Sequence, residues 1–205
     1  MLLNLAKYIY KNNQVVIIMS KISELRQHAR NRKLPPYMEI GRITPELVVH
    51  NLFIYDDLSR DPKNLSGMKT AEHRHANAVA GVSTGKDVYD LGEFYNQIHT
   101  NEIELSAPNF NFVNTRFAML EPGHHIDFHM DPPSIYNIIC PLTDPVILEI
   151  REDLNAYPVI MPGEICFINP SYSHASRHES KETRVAILAN FDYNEEVYDH
   201  LTRLL

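Results

Sequence analysis

The chain is short of positive charge: 19 lysines and arginines face 26 aspartates and glutamates, for a formal net charge of −7. A surface that grips a nucleic acid backbone needs clustered Lys and Arg to displace counterions, so that class of partner is not expected. The basic run Arg26, Arg30, Arg32 and Lys33 reads as the solvated face of a helix. Cysteine is scarce as well. Cys140 and Cys166 are the only two, both in apolar, strand-like contexts, so buried free thiols in a reducing compartment are expected rather than a disulfide framework. The 7 glycines form no phosphate-cradling loop, which leaves nucleotide-dependent chemistry without support. Long apolar runs are also missing. Lys7, Lys11, Asn12, Asn13 and Gln14 interrupt the opening segment well short of a membrane span, and no small-residue cleavage pattern follows a clean apolar stretch. A cytoplasmic protein with no membrane partner is expected. Ser173 and Ser176 flank His174, but without a Gly-x-Ser-x-Gly elbow they do not make a serine hydrolase. No internal repeat or low-complexity segment is present, and nothing in the sequence speaks to oligomeric state.

At 205 residues the length suits one domain with a sizeable core. Ile22, Leu25, His28 and Ala29 recur at helical spacing until Leu34-Pro35-Pro36 stops the segment. Residues 1–40 therefore read as an N-terminal helical extension, with 1–18 dispensable, and 41–205 as the main domain with its supporting helices. Thr44-Pro45-Glu46 has the chemistry of a helix start: a hydroxyl cap, proline at the first helical position and an acid in the first turn. A short helix is expected there. Residues 58–86 read as a polar, irregular stretch, and Leu91, Phe94, Tyr95 and Ile98 as a helix over 90–99. His73 and His75 in the polar stretch lack a carboxylate or cysteine at ligand spacing and read as surface loop.

After Asn101 the texture changes to short alternating or apolar runs. Strands are expected over 112–120, 124–130, 135–142, 146–151, 164–169, 174–178 and 184–191. The breaks at Glu121-Pro122-Gly123, Asp131-Pro132-Pro133, Thr143-Asp144-Pro145 and Met161-Pro162-Gly163 are turn formers. Short strands after a helical start give an α+β, mainly β fold, with helices packed against an all-β barrel or sandwich.

One of these strands carries a cluster of ionisable groups. In Pro122-Gly-His-His-Ile-Asp-Phe-His-Met-Asp131, strict alternation puts His125, Asp127, His129 and Asp131 on one face. Burying four such side chains is costly without a partner, and a metal ion is one. On the cluster alone, a solvated face of ordinary histidines is an equal reading. Two His-x-Asp pairs overlap, and the second is preferred because Asp131 precedes Pro132-Pro133 at the strand's end, where its carboxylate swings onto a metal held by His129. His125 and Asp127 then face substrate or orient the ligands. A distant histidine, His174, completes two imidazoles and one carboxylate, the donor set that leaves open positions on a non-heme Fe(II). Ten positions after His174 comes Arg184, on a strand face otherwise made of Ala186, Leu188 and Asn190. A guanidinium there needs an anion: a bound carboxylate, or a protein carboxylate such as Glu149 or Glu164. The spacing from His174 favours the bound anion.

The set Leu120-Glu-Pro-Gly-x-x-Ile126-x-x-His129-x-Asp131, Pro162-Gly163-Glu164, His174 and Arg184 resembles the Fe(II)/2-oxoglutarate-dependent dioxygenases, in the aspartyl/asparaginyl β-hydroxylase-like branch that includes bacterial proline hydroxylases. The resemblance runs from residue 112 onward. It implies a double-stranded β-helix, or jelly roll, with iron on His129, Asp131 and His174 and the far carboxylate of 2-oxoglutarate on Arg184. It also implies O2 as oxidant, conversion of 2-oxoglutarate to succinate and CO2, hydroxylation of an unactivated C–H bond, and ascorbate as the in vitro reductant. The expected substrate is an amino acid, a peptidyl residue or a related small polar molecule. Two departures from the branch stand out. Members often have a histidine or arginine after the His-x-Asp loop to help hold the cosubstrate, and here Asn137 or Tyr136 takes that place. Animal members lack the metal-binding aspartate, so Asp131 puts this chain nearer the three-ligand enzymes. Arg116, on the strand before Leu120, faces the barrel mouth and holds either a substrate carboxylate or a surface ion pair. The alternatives are a non-catalytic β-barrel interaction module and a cupin-type metal enzyme that does not use 2-oxoglutarate.

Overall fold

Turn chemistry cuts the second half of the chain into strands, and the alternation within them sorts their side chains between two layers. The structure, a computed structural model, describes residues 14–64, 66–67, 95–105, 110, 112–151 and 157–205. The elements are α1 (Gln14–Asn31), β1 (Tyr37–Arg42), α2 (Pro45–Ser59), β2 (Ser66–Gly67), β3 (Tyr95–His99), β4 (Asn114–Leu120), β5 (His125–His129), β6 (Ile135–Pro141), β7 (Val146–Ile150), β8 (Val159–Ile160), β9 (Glu164–Ile168), β10 (His174–Arg177), β11 (Arg184–Asp192) and α3 (Glu195–Arg203). A seven-stranded sheet in the order β1-β9-β6-β11-β4-β3-β2 opposes a four-stranded sheet in the order β5-β10-β7-β8. All pairings are antiparallel. Two antiparallel sheets in this arrangement make a jelly roll, the expected mainly β architecture with helices against it.

The larger sheet is apolar on its outer face and polar over much of its inner one. On β11, Val185, Ile187, Ala189 and Phe191 join Phe117, Met119, Tyr136, Ile138, Ile165 and Phe167 in a core cluster beneath the helices, with Leu47, Val48, Leu52 and Tyr55 of α2 and Val197, Tyr198 and Leu201 of α3 packed in. The alternate residues Arg184, Ala186, Leu188 and Asn190 face the smaller sheet. At one end of that interior Val146, Leu148 and Ile150 pack on Cys166 and Ile168, closing the roll. The other end is polar.

The helix starts follow the capping rules. Thr44 is the N-cap of α2, its hydroxyl accepting from Leu47 N at 3.3 Å. The helix runs 15 residues, longer than expected, because its apolar side lies on the sheet. α3 is capped by the Asn194 carboxamide, which accepts from Val197 N at 2.8 Å, with Glu195 and Glu196 in the first turn and His200 and Arg203 in the last, as the helix dipole favours. α1 docks through its polar C-terminal end, since Leu25 is 67 % exposed. Buried Asn169 donates to the carbonyls of Asn31, Leu34 and Pro35 at 2.8, 3.2 and 3.1 Å. Arg30 pairs with Glu195 and stacks 4.3 Å above Tyr198.

Several expectations need correcting. Residues 95–99 form β3, not the end of a helix, because they pair with β4, and ladder pairing across a sheet overrides a local helical pattern. β1 spans the boundary expected at residue 40, since Tyr37–Arg42 pairs with β9. His73 and His75 lie outside the described residues, as do 1–13, where most of the segment expected to be dispensable falls. Among the described residues no helix is long and apolar enough to cross a membrane. Both cysteines are free and buried.

Candidate metal centre

β5 and β10 pair antiparallel with His129 opposite His174, Ile126 opposite Ser176 and His125 opposite Arg177. Between the first two pairs β10 advances two residues and β5 three, a β-bulge. A bulge inserts one residue and shifts the alternation on either side of it. Strict alternation over the cluster therefore fails, and this corrects the expectation that His125 and His129 share a face. His129 and Ile126 face the interior with His174 and Ser176, whereas His125 is exposed alongside exposed Arg177. Asp127 lies in β5, and its side chain is outside the described residues.

His129, Asp131 and His174 come together, each offering one ligand atom within 4.8 Å of the others. His174 Nε2 lies 3.5 Å from Asp131 Oδ2, and His129 Nε2 lies 4.0 Å from Asp131 Oδ1. An ion about 2.1 Å from each atom is compatible with these separations. The imidazole rings are 4.4 Å apart between centroids. His174 Nδ1 is 3.0 Å from the Tyr172 carbonyl oxygen. A carbonyl only accepts, so that contact places the proton on Nδ1 and leaves the Nε2 lone pair aimed at the cluster. The donor set of two nitrogens and one carboxylate fits Fe(II) with open coordination positions.

The Asp131 carboxylate is held from behind. Asn137 Nδ2 donates to its Oδ2, Asn190 Nδ2 donates to Asn137 Oδ1, and Arg116 Nη1 donates to Asn190 Oδ1. Asn137 and Asn190 are register partners on β6 and β11. This locates Asn137 at the Asp131 carboxylate and not beside Arg184, six residues from Asn190 along β11, or about 20 Å. Its alternative, Tyr136, faces the opposite side of the sheet, fully buried, with its hydroxyl donating to Asn31 Oδ1 at 2.8 Å.

Arg184 is 3 % exposed and reaches across the roll, donating from Nη2 to Ser176 Oγ at 2.9 Å and from Nη1 to the Arg177 carbonyl at 2.8 Å. The protein carboxylates weighed for it are engaged elsewhere, Glu149 with Arg177 and Glu164 with Arg42. Sequence reasoning gave no role to Ser176 or Asn190. Alternation already puts Asn190 on the Arg184 face, and the same step from His174 would have put Ser176 on the inner face. Burial raises the thiols of Cys140 and Cys166 to about 12, which removes them as ligands or nucleophiles at neutral pH.

Residues 93–193 match the family model described as aspartyl/asparaginyl beta-hydroxylase, a span containing the triad, Asn137, Arg184, Asn190 and Arg116. No curated protein matches the chain. Among solved structures, the non-heme alpha ketoglutarate dependent epimerase SnoN from nogalamycin biosynthesis is similar at 10 % identity and TM-score 0.54, with 83 % of each chain covered. TT1209 from Thermus thermophilus has 16 % identity and TM-score 0.38, covering 49 % of this chain and 85 % of its own. The plu4264 protein from Photorhabdus luminescens has 14 % identity and TM-score 0.37, covering 54 % and 84 %. At such identities the first likeness concerns the fold.

Proposed function

We propose that this chain, a protein of the aspartyl/asparaginyl β-hydroxylase family over residues 93–193, is an Fe(II)/2-oxoglutarate-dependent hydroxylase of an amino acid, a peptidyl residue or a related small polar substrate. The observation that carries the reading is the pairing of the triad with Arg184 on one interior. His174 and Ser176 are two residues apart on β10, about 6.6 Å along a strand, and the Arg184 guanidinium bonds Ser176 Oγ at 2.9 Å. A five-carbon diacid held at a metal on the triad by one end would be placed to offer its other carboxylate to that guanidinium.

Iron, 2-oxoglutarate and O2 together supply the chemistry: hydroxylation of an unactivated C–H bond, with succinate and CO2 as coproducts. The protein's own groups do the rest. His129, Asp131 and His174 hold the ion, and the Tyr172 carbonyl fixes the ligating tautomer of His174. Asn137 fixes Asp131, and Arg184 with Ser176, both buried, would bind the far carboxylate away from solvent, where a charge-assisted pair is stronger than in water. Two buried free thiols support a reducing, cytoplasmic setting.

The test is succinate formation from 2-oxoglutarate with Fe(II) and ascorbate across a broad substrate panel, alongside thermal shift with 2-oxoglutarate. Absence of both responses overturns the proposal. Metal-dependent turnover indifferent to 2-oxoglutarate would favour a cupin-type enzyme, and a melting temperature untouched by chelation would favour a non-catalytic barrel.

A further inference from the structure

Two of the three metal-ligand candidates sit on segments that are tied to one residue of α1. Asn31, the last residue of that helix, is fully buried, which a carboxamide tolerates only when its polar atoms have partners. Its Nδ2 donates to the Pro133 carbonyl at 2.9 Å, and its Oδ1 accepts from the Tyr136 hydroxyl and from Gln27 Nε2, both at 2.8 Å. Its backbone carbonyl accepts from Asn169 Nδ2 at 2.8 Å.

One side of this junction leads to Asp131. The β5–β10 ladder sets His129 against His174, but Asp131 lies two residues beyond the end of β5, outside that ladder. Asn137 orients its carboxylate; its backbone depends on the loop that follows. Pro132 and Pro133 have no N–H to give, so the loop is held through its carbonyls. Pro132 O accepts from Ile135 N at 3.0 Å, Pro133 O from Asn31, and Ser134 O from Tyr193 N at 2.8 Å. Of these three donors only Asn31 belongs to α1.

The other side leads to His174. Asn169 accepts from Ser171 N at 3.0 Å through its side chain and from Tyr172 N at 3.2 Å through its backbone carbonyl. The Tyr172 carbonyl is the acceptor that sets the His174 tautomer. Tyr172 also returns to the end of α1, its hydroxyl donating to the Arg32 carbonyl at 3.3 Å. From Asn31 one path therefore reaches Asp131 through Pro133, and another reaches His174 through Asn169 and Tyr172.

We propose that Asn31 is a positioning residue of the metal centre, setting the Asp131 loop against the His174 segment, so that the end of α1 is part of the site's frame and not a cover. This rests on reading His129, Asp131 and His174 as metal ligands. Groups that directly orient metal ligands contribute about 10- to 100-fold in metal affinity. Asn31 acts one link further out, which puts its effect at the lower end, about ten-fold.

The experiment uses the full chain. Mn(II) is titrated into metal-free protein by calorimetry, the visible spectrum of the Co(II)-loaded protein reports ligand geometry, and urea unfolding measures stability. Asn31→Ala is compared with Asn51→Ala. Asn51 is an equally buried carboxamide on α2 that bonds the Leu47 carbonyl at 2.9 Å and the Glu104 backbone at 3.0 and 3.1 Å, none of which adjoins a metal ligand. Both variants should lose urea resistance. Only Asn31→Ala should bind Mn(II) about ten-fold more weakly and change the Co(II) spectrum. A paired variant, Asn31→Leu with Tyr136→Phe, replaces two bonded polar groups by apolar ones of similar shape, so its stability should stay near wild type while the Pro133 tie is lost. It should show the same weakened metal binding, and it serves as the test if Asn31→Ala does not fold. Mn(II) affinity within about three-fold of wild type in a folded Asn31 variant, or an equal loss in Asn51→Ala, overturns the inference. A wild-type chain that binds no Mn(II) instead defeats the metal-ligand reading, so the two failures are distinguishable.

Discussion

Arg184→Gln separates cosubstrate binding from metal binding. The guanidinium donates to Ser176 Oγ and the Arg177 carbonyl, neither of which belongs to the metal-ligand triad, so its loss should act chiefly on 2-oxoglutarate. Two charge-assisted hydrogen bonds to a carboxylate contribute about 1.5–3 kcal/mol each. Their joint loss, about 3–6 kcal/mol, weakens 2-oxoglutarate by about 10²- to 10⁴-fold. In the unliganded protein the change works in two directions. Ser176 and Arg177 lose a donor, which costs about 1–3 kcal/mol, but a buried cation and its desolvation penalty are removed as well. Apoprotein stability should therefore move less than cosubstrate affinity. Anaerobic calorimetry measures both, first titrating Mn(II) into apoprotein and then 2-oxoglutarate into the loaded protein. Metal affinity within about three-fold of wild type, with the 2-oxoglutarate heat lost, is the expected pattern. An equal drop in metal affinity, or 2-oxoglutarate bound as tightly as before, refutes the role assigned to Arg184.

Three further outcomes are expected. Asn169→Ala strands the carbonyls of Asn31, Leu34 and Pro35 and the amide of Ser171, which bonds Asn169 Oδ1 at 3.0 Å; urea unfolding should show a loss of about 2–4 kcal/mol, and a loss below about 1 kcal/mol would mean that water replaces the carboxamide. Burial, then the nearby Arg32, lowers the His28 pKa, so the folded state binds fewer protons than the unfolded chain near the ordinary value of 6.5. The associated stability is present above that pH and is lost as pH falls through it; metal-free wild type should lose more urea resistance between about pH 7.5 and 5.5 than His28→Gln, and parallel curves would contradict this. With thiol pKa values raised to about 12, Cys140 and Cys166 should resist maleimide at about pH 7.5 in native protein and label promptly in denaturant; fast native labelling would show that the strands open readily.

The strands of the second half were legible because turn residues punctuate them and because β-branched and aromatic residues recur between the turns. Pro122-Gly123 and Pro162-Gly163 mark turns whose glycines adopt φ of 74° and 85°. A side chain at Gly163 would also meet the Ile43 carbonyl oxygen at 3.4 Å, which ties that turn to the segment leading into α2. β1 and β3 were hidden for a different reason. Tyr37–Arg42 and Tyr95–His99 are strands because β9 and β4 offer them a ladder, and nothing local announces a distant partner. α3, absent from the elements expected on sequence grounds, has a strong start signal in Asn194-Glu195-Glu196; a capping scan of the final residues would have located it.

At the site, residue types and spacing singled out His129, Asp131 and His174 as the candidate donor set and Arg184 as the candidate anion-binding cation, because ligand chemistry is a property of side chains and their intervals. Tertiary structure decided their neighbours. The bulge in β5, which turns His125 away from the cluster, exists only in the pairing with β10. Asn137 meets Asp131 and Asn190 because three strands fix their register. Arg184 reaches Ser176 because two sheets face each other. Sequence determines which groups are present and their order along each strand; which of them share an interior depends on registers and layer contacts formed between residues far apart in the chain.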